Sequence, residues 1–418
     1  MIMREMKDSG ISWVGEIPKE WTIMPLYCFY SERKNKNIFG AENNLLSLSY
    51  GKVIRKDINT SEGLQPSNYN GYNIVEAGDI IIRPTDLQND KRSLRTGLSK
   101  ERGIITSAYI ALKPKNGINS RFYHYLLHTY DILKVFYNMG NGVRQGLNYD
   151  EFAKLMVYSP SDTEQQKIAD FLDRECGKID GLKADIQAQI DTLEQYKRSV
   201  ITEAVTHGLN PSAPMKDSGI PWVGQFPTHW TKKKGKYILR YMSKPVKQDD
   251  GVITCFRDGE VTLRSNRRED GFTMADKEIG YQGVDVGDLV VHGMDGFAGA
   301  IGISDSRGKA SPVLNVLNTK QNKKYIMYYL RSMAYGEVFT ALSTGIRVRS
   351  CDLRWNKLAE LLYPLPPIDE QNNIVNYIDE QIARTNEIIA DKKSQIETLD
   401  GYKKSLIYEY VTGKKEVV

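Results

Sequence analysis

MKDSGISWVGEIPKEW, residues 6–21, returns as MKDSGIPWVGQFPTHW at residues 215–230, an ungapped match with 11 of 16 positions identical. Repetition of that quality decides the architecture before any single element does. A second pair starts at EQQKI (164–168) and EQNNI (370–374) and stays in register through TLEQYKRSVITE (192–203) and TLDGYKKSLIYE (398–409). Between these anchors the likeness is fainter, as in VEAGDIII (75–82) against VDVGDLVV (284–291) and GVRQGLNYDEFAKL (142–155) against GIRVRSCDLRWNKL (345–358). The chain is two copies of one unit, alike at their ends and divergent between. Such a pattern assigns a shared structural job to the ends and separate recognition jobs to the middles.

In the middles, NLLSLSY (44–50), DIIIRP (79–84) and SAYIALKP (107–114) are short runs rich in Ile, Leu and Tyr and bounded by Gly, Pro, Asn or Asp, which predicts strands. Their counterparts are GVITCF (251–256), DLVVHG (288–293) and SPVLNVL (311–317). After them, RFYHYLLHTYDILKVFY (121–137) and KKYIMYYLRSMAYGEVFTAL (323–342) carry apolar residues at helical spacing, interrupted only by Gly336. Each middle reads as a mixed α/β domain of roughly 150 residues.

The ends follow a different period. From Asp162 to Thr206 there is no proline, glycine occurs only at 177 and 181, and Leu172, Ile179, Ile186, Leu193 and Val200 recur every seven residues. Ile168, Leu182 and Tyr196 form a second, interrupted stripe. In the other copy, Asp369 to Val411, the main face holds Ile374, Ile378, Ile388, Leu399, Tyr402 and Leu406. These heptads predict two helices about 65 Å long that bury their stripes on each other. Because the connector HGLNPSAP (207–214) is short, the second helix is expected to return antiparallel to the first. The expected fold class is α+β, two mixed α/β domains separated by two long antiparallel helices forming a coiled-coil spacer. The boundaries fall at 1–158 for the first domain, 159–214 for the central helix and connector, 215–364 for the second domain and 365–418 for the distal helix.

The net charge of +5 over 418 residues says little until it is divided along those boundaries. Residues 1–158 hold 21 Lys+Arg against 16 Asp+Glu, and 215–364 hold 23 against 16; the helical segments 159–214 and 365–418 hold 6 and 7 against 10 and 10. Both domains are basic and both helices acidic. Basic clusters at Lys91, Arg92, Arg95, Lys100 and Arg102, at Lys232, Lys233, Lys234 and Lys236, and at Arg264, Arg267 and Arg268 are interleaved with Ser, Thr, Asn, Gln and Tyr. Those side chains reach phosphates and base edges, and two basic domains on a spacer suit duplex DNA. A coiled-coil assembly protein whose basic domains bind protein partners or nonspecific nucleic acid is the alternative these residues leave open. No run approaches the roughly 18 apolar residues of a membrane span. Arg4, Glu5, Lys7 and Asp8 stand where a signal peptide would be apolar, so a cytoplasmic location is expected and no membrane contact. Cys28, Cys176, Cys255 and Cys351 lie far apart with no thiolate-pair spacing, which argues against disulfides and a zinc site.

The repeated opening SGIxWVGxxPxxW, the two divergent middles and the Glu-Gln that starts each long helix resemble the specificity subunit of type I restriction-modification systems, over essentially the whole chain. PLPPIDEQ (364–371) matches the family's lead-in to its spacer helix, while YSPSDTEQ (158–165) keeps only Pro160 and the Glu-Gln pair. The resemblance implies that each middle is a target recognition domain for one half of a bipartite, asymmetric DNA sequence. It implies further that the helices set the gap between the halves and dock two adenine-N6 methyltransferase (modification) subunits, which two restriction (translocase and nuclease) subunits can join. S-adenosylmethionine, ATP and magnesium would belong to those partners, with no cofactor in this chain.

The residues agree that the chain itself lacks chemistry. The only Pro-Pro, in LPPI (365–368), lacks the polar and aromatic neighbours that hold a flipped adenine, and there is no phosphate-cradling P-loop. ERK (32–34) and DKK (391–393) have the spacing of a nuclease motif without its preceding Pro-Asp. His124 and His128, four residues apart, have no third ligand in sight and read as packing or surface residues. No catalytic residue and no metal ligand is expected. The DNA-contacting candidates come from two segments per domain and from the basic clusters. After the Gly-Asp-Ile strand they are Arg83, Thr85, Asp86, Asn89, Lys91, Arg92 and Arg95; after the Gly-Asp-Leu strand, His292, Met294 and Asp295. The Gly-[Val/Ile]-Arg loops add Arg144 and Gln145, and Arg347 and Arg349. Arg257, Arg264, Arg267 and Arg268 complete the set. Trp13, Trp21, Trp222 and Trp230 of the repeated openings are expected in the core.

Overall fold

Ile80, Ile81 and Ile82 have no polar alternate, and neither do Leu289, Val290 and Val291, so each run needs cover on both faces. The computed structural model describes residues 4–59, 66, 68–85, 94–139, 146–267, 279–342 and 353–417, and both runs lie inside four-stranded antiparallel sheets. In the first sheet the order is Tyr30–Glu32, Ile110–Pro114, Ile80–Ile82, Thr96–Leu98, with Ile80 opposite Leu112 and Leu98. In the second it is Leu239–Tyr241, Leu314–Thr319, Leu289–His292, Ile301–Ile303, with Leu289 opposite Leu317 and Ile303. Topology is thus repeated strand for strand, and the apolar triads are buried in both.

One helix packs on each sheet: α1 (Ser120–Ile132) in the first copy. The Asn119 side chain caps it, accepting from Arg121 and Phe122 amides. Phe122, Tyr123, Leu126, Leu127 and Tyr130 fill the core beneath. Both helices stop before the sequence pattern does. The expected run 121–137 breaks at Lys134 (φ 61), and 323–342 breaks at Glu337 (φ 56), each followed by another short helical turn. A left-handed residue redirects the chain there, and neither Lys nor Glu advertises it.

The chain separates into two compact units, Met1–Ile186 with Ser394–Val418, and Gln187–Lys393. Each unit therefore contains its own domain, part of one long helix and part of the other. The long helices are α2 (Asp162–His207, 46 residues) and, beyond the second domain's counterpart of α1, α3 (Lys323–Tyr335), the 44-residue α4 (Ile368–Val411). Asn322 caps α3 as Asn119 caps α1.

Within the first unit Ile168, Leu172, Cys176 and Ile179 of α2 share a core with Leu406, Ile407 and Val411 of α4. Phe171 lies 4.3 Å from Tyr410, Lys403 Nζ donates to Asp180 at 2.7 Å, and Lys183 pairs with Asp400. Numbers that rise on one helix fall on the other, so the pairing is antiparallel. Within the second unit Ile201, Ala204 and Val205 meet Ile374, Val375 and Ile378, and Lys197 Nζ donates to Asn386 at 2.8 Å.

The main stripe on α2 faces this seam, with Leu172, Ile179 and Val200 buried and Ile186 and Leu193 half-buried. On α4, Ile374, Ile378 and Leu406 are buried and Leu399 is half-buried. The second stripe of α2 and two members of the main face expected on α4 require correction. Leu182, Tyr196, Ile388 and Tyr402 are 52%, 47%, 47% and 58% exposed, and their neighbours Lys183, Lys197, Ile389 and Lys403 occupy the seam instead. The seam alternates steps of three and four residues, placing Cys176, Lys183, Ile190, Lys197 and Ala204 beside the main stripe. Lysine stems bury along the apolar surface while their ammonium groups reach a carboxylate or amide across it, a substitution no apolar count detects.

The repeated openings find their purpose in the same geometry. Trp21 and Trp230 are 1% and 0% exposed. Trp21 Nε1 donates to Glu164 at 3.0 Å and Trp230 Nε1 to Glu370 at 3.0 Å. The adjacent Gln165 and Gln371 donate to the Pro160 and Pro366 carbonyls at 3.0 and 2.9 Å. The Glu-Gln pair thus clamps the start of each long helix to the tryptophan of its own domain. On its other side each tryptophan meets the end of the other long helix. A Cβ on Gly208 (φ 78) would stand 3.1 Å from the Trp230 ring, and one on Gly413 (φ 71) 2.9 Å from Trp21. Trp13 departs from the expected core role: it is 38% exposed and rests edge-on against Tyr130 at 5.8 Å. Trp222 is half-buried, and its indole N–H reaches the Tyr329 hydroxyl at 2.9 Å.

Candidate nucleic-acid interface

Asp79 and Asp288, the aspartates of the repeated Gly-Asp turn, are buried and bond backwards. Asp79 accepts from the Glu76 amide at 2.8 Å and Asp288 from the Asp285 amide at 2.8 Å, so each fixes the turn that launches the central strand. Burial raises the Asp79 carboxyl, opposed by the guanidinium of Arg33, which holds it. Lys244 pairs with Asp288 in the same way. The segment leaving each strand is therefore aimed by a rigid turn at the strand's far end.

At that exit residues flanking the two expected recognition segments bond to each other, and by the same bond in both domains. The Leu147 amide, just after residues 142–145, donates to the Pro84 carbonyl at 2.9 Å; the Leu353 amide donates to the Gly293 carbonyl at 2.8 Å. In the second domain Asn315 adds donations to Leu353 and Val291 carbonyls at 2.9 and 3.1 Å. No sequence signal marks these anchors, because backbone groups do the bonding. Asp86, Asn89, Lys91, Arg92, Arg144, Gln145, Arg268, Arg347 and Arg349 lie outside the described residues.

In the first domain Arg83 is half-buried and Thr85 exposed at this exit. Arg95 is not a surface contact. It is fully buried, its amide donates to Asp131 on α1, and its guanidinium donates to the Thr85 carbonyl at 2.5 Å, tying together the neck of the segment between them. It belongs to the strand that begins at Thr96 rather than to the basic run before it. Asp131 carries the cost of this role, since burial pushes its carboxyl up to about 6. His124, His128 and Asp131 occupy positions i, i+4 and i+7 of α1. Burial lowers His124 to about 3, helped by His128 and Lys100, and His128 to about 4, helped by Lys403 and Lys404, so both rings stay neutral near pH 7. Among the described residues no group of three His, Cys, Asp or Glu side chains is placed to hold a metal.

In the second domain the described candidates form one cluster. Arg257 donates to Asp295 at 2.9 Å, and His292 Nδ1 accepts from the Asp295 and Met294 amides at 2.9 and 3.2 Å. Burial lowers the imidazole, keeping Nδ1 an acceptor. Arg267 lies over the Phe256 ring at 4.2 Å and pairs with Asp258 and Glu260 at 2.8 and 2.9 Å; Arg264 approaches the Thr254 hydroxyl at 3.4 Å. Arg257 keeps 61% of its side chain exposed while one carboxylate orients it, as a guanidinium presented to a base edge or phosphate requires. The Lys232–Lys236 cluster is less available than its sequence implies. Lys234 and Lys236 share Glu360, at 2.7 and 2.8 Å, and Lys232 donates to the Ser218 carbonyl.

Comparison with known proteins finds relatives of the chain as a whole. The family model described as the type I restriction modification DNA specificity domain matches residues 31–192. The chain is 22% identical over 435 aligned positions to a putative type I restriction enzyme MjaX specificity subunit of Methanocaldococcus jannaschii, covering 97% of this chain and 96% of the relative. A chain solved in work on complex assembly and conformational transition of the type I R-M system shares the fold, with a TM-score of 0.64 at 12% identity, covering 96% of this chain and 99% of that one. Residues 31–192 thus resemble the type I restriction modification DNA specificity domain, and nearly the whole chain is similar to a type I specificity subunit. Among the described residues no helix is long and apolar enough to cross a membrane.

Proposed function

We propose that this chain reads a bipartite, asymmetric duplex DNA target, one half-site per domain, and performs no chemistry itself. The observation that carries this reading is the repeated junction at which Leu147 meets Pro84 and Leu353 meets Gly293. The same scaffold bond joins the flanks of the candidate segments in each domain while the sequences of those segments differ, as two readers of different half-sites need. Arginine there can grip guanine bidentately and Asn or Gln adenine, each worth about 1–3 kcal/mol of discrimination. The antiparallel helices then set the gap between half-sites and dock two adenine-N6 methyltransferase subunits carrying S-adenosylmethionine. Two restriction subunits using ATP and magnesium join that assembly in the cytoplasm.

The test is exchange of residues 25–155 for the corresponding domain of another specificity subunit, followed by mapping of methylated adenines in cells carrying the modification subunit. One half of the methylated sequence should change and the other should not. A change in both halves, or in neither, rejects the reading, and salt-sensitive binding without any sequence preference would favour a nonspecific assembly role.

A further inference from the structure

Each domain carries a hairpin that the two-loop reading leaves unused. In the first, Leu46–Ser49 pairs with Lys52–Arg55 through a two-residue turn, Tyr50-Gly51, with φ 46 and 78. Turns with both central residues left-handed favour Asn or Gly at the first position, because a bulky side chain is strained there. Tyrosine occupies it here, and its side chain is 85% exposed. Neither burial nor turn preference accounts for that choice, and retained strain at an exposed residue points to function.

The tip is also held where recognition is expected. A Cβ on Gly51 would stand 3.1 Å from Leu94, where the chain returns from residues 86–93, and 3.6 Å from His128 of α1. In the second domain the hairpin Ile253–Cys255 with Val261–Leu263 is supported alike: Arg331 of α3 donates to the Asp258 carbonyl at 2.8 Å, and Arg257 at its tip bonds Asp295. His128 and Arg331 each lie nine residues after the capping asparagine of their helix. Support from beneath and contact with the neighbouring segment are thus common to the two domains, while the tips differ, Tyr50 and Lys52 in one, Phe256 and Arg257 in the other.

We propose that each hairpin tip is a third recognition loop and that Tyr50 is a DNA-contacting, specificity-determining residue for the half-site read by the first domain. An exposed phenol offers a ring to the sugar and base faces and a hydroxyl that both donates and accepts. This role rests on the bipartite reading of the target.

The experiment uses the chain assembled with its modification subunits and compares wild type with Tyr50→Asn and Tyr50→Phe on duplexes carrying the cognate target, single substitutions in either half-site, and unrelated sequence. Asn suits the left-handed turn, so the melting temperature of Tyr50→Asn should hold or rise. Its affinity for the cognate duplex should fall about tenfold, the scale of one good specific contact. Discrimination should weaken at the first half-site and stay intact at the second, and Tyr50→Phe should retain part of both. Unchanged binding in Tyr50→Asn, or equal loss on cognate and unrelated duplex, overturns the assignment. A wild-type complex without two separable half-sites overturns the underlying reading instead.

Discussion

On α1 the residue beneath the hairpin tip is His128, a ring buried neutral; on α3 it is Arg331, a guanidinium bonded to the tip's own backbone. The same contrast recurs throughout the two domains. Shared bonds run through main chain, as at Leu147 and Leu353, or through repeated side chains, as at Trp21 and Trp230, Asp79 and Asp288, and Asn119 and Asn322. Unshared contacts run through side chains around the loops. A scaffold held largely by backbone bonds tolerates replacement of loop residues, so the two copies can diverge there without losing shape.

The sharpest way to break this equivalence is to remove one tryptophan at a time. Trp21→Ala and Trp230→Ala each delete a buried ring and its hydrogen bond to a helix-start glutamate, with an expected loss of about 3–5 kcal/mol. Amide hydrogen exchange should report the loss in the mutated unit and leave the other protected; equal deprotection of both would mean that the units are one cooperative block. Next comes the seam. Ile389→Ala should cost about 2–4 kcal/mol, as for a core residue, and Ile388→Ala less than about 0.5 kcal/mol, as for a surface one. Denaturant midpoints that rank these in the opposite order would restore the stripe inferred from heptads.

Acid should separate the units by a smaller margin. His124 and His128 are depressed in the fold, so the unfolded chain takes up protons first and stability falls as pH drops from about 6.5 toward their folded values. Asp131, raised by burial, works oppositely and recovers stability as pH falls through about 6. Together the three give a net loss of about 2 kcal/mol between pH 7 and 5 in the first unit. Met327 and Arg331 fill the histidine positions of α3, so exchange protection there should hold while that of α1 declines. Smallest is the seam ion pair. Lys403→Ala should cost about 0.5–1 kcal/mol in thermal melting at low salt and less at high salt, because Asp180 is partly exposed and Lys52 lies 3.7 Å away.

Legibility in the sequence follows the same division. The duplication, the strands around Ile81 and Val290 and the existence of two paired helices are open to periodicity, since they depend on apolar spacing. Lys183, Lys197 and Lys403 in the seam are not, because a lysine stem buries without being apolar. Arg95 is misplaced for the complementary reason: composition groups it with Lys91 and Arg92, whereas its buried partner Asp131 is distant in sequence. The Leu147 and Leu353 anchors involve only backbone, and Tyr50 becomes conspicuous only through its φ.

The glycine that ends each long helix against the other domain's tryptophan also orders events during synthesis. The second unit, Gln187–Lys393, is one uninterrupted stretch that can close its core as soon as it leaves the ribosome. The first unit is made earlier but waits for Ser394–Val418, since Leu406, Val411 and Gly413 complete the packing around Trp21. The domain translated first therefore matures last. A chain truncated before Leu406 would expose an unfinished first core to proteolysis.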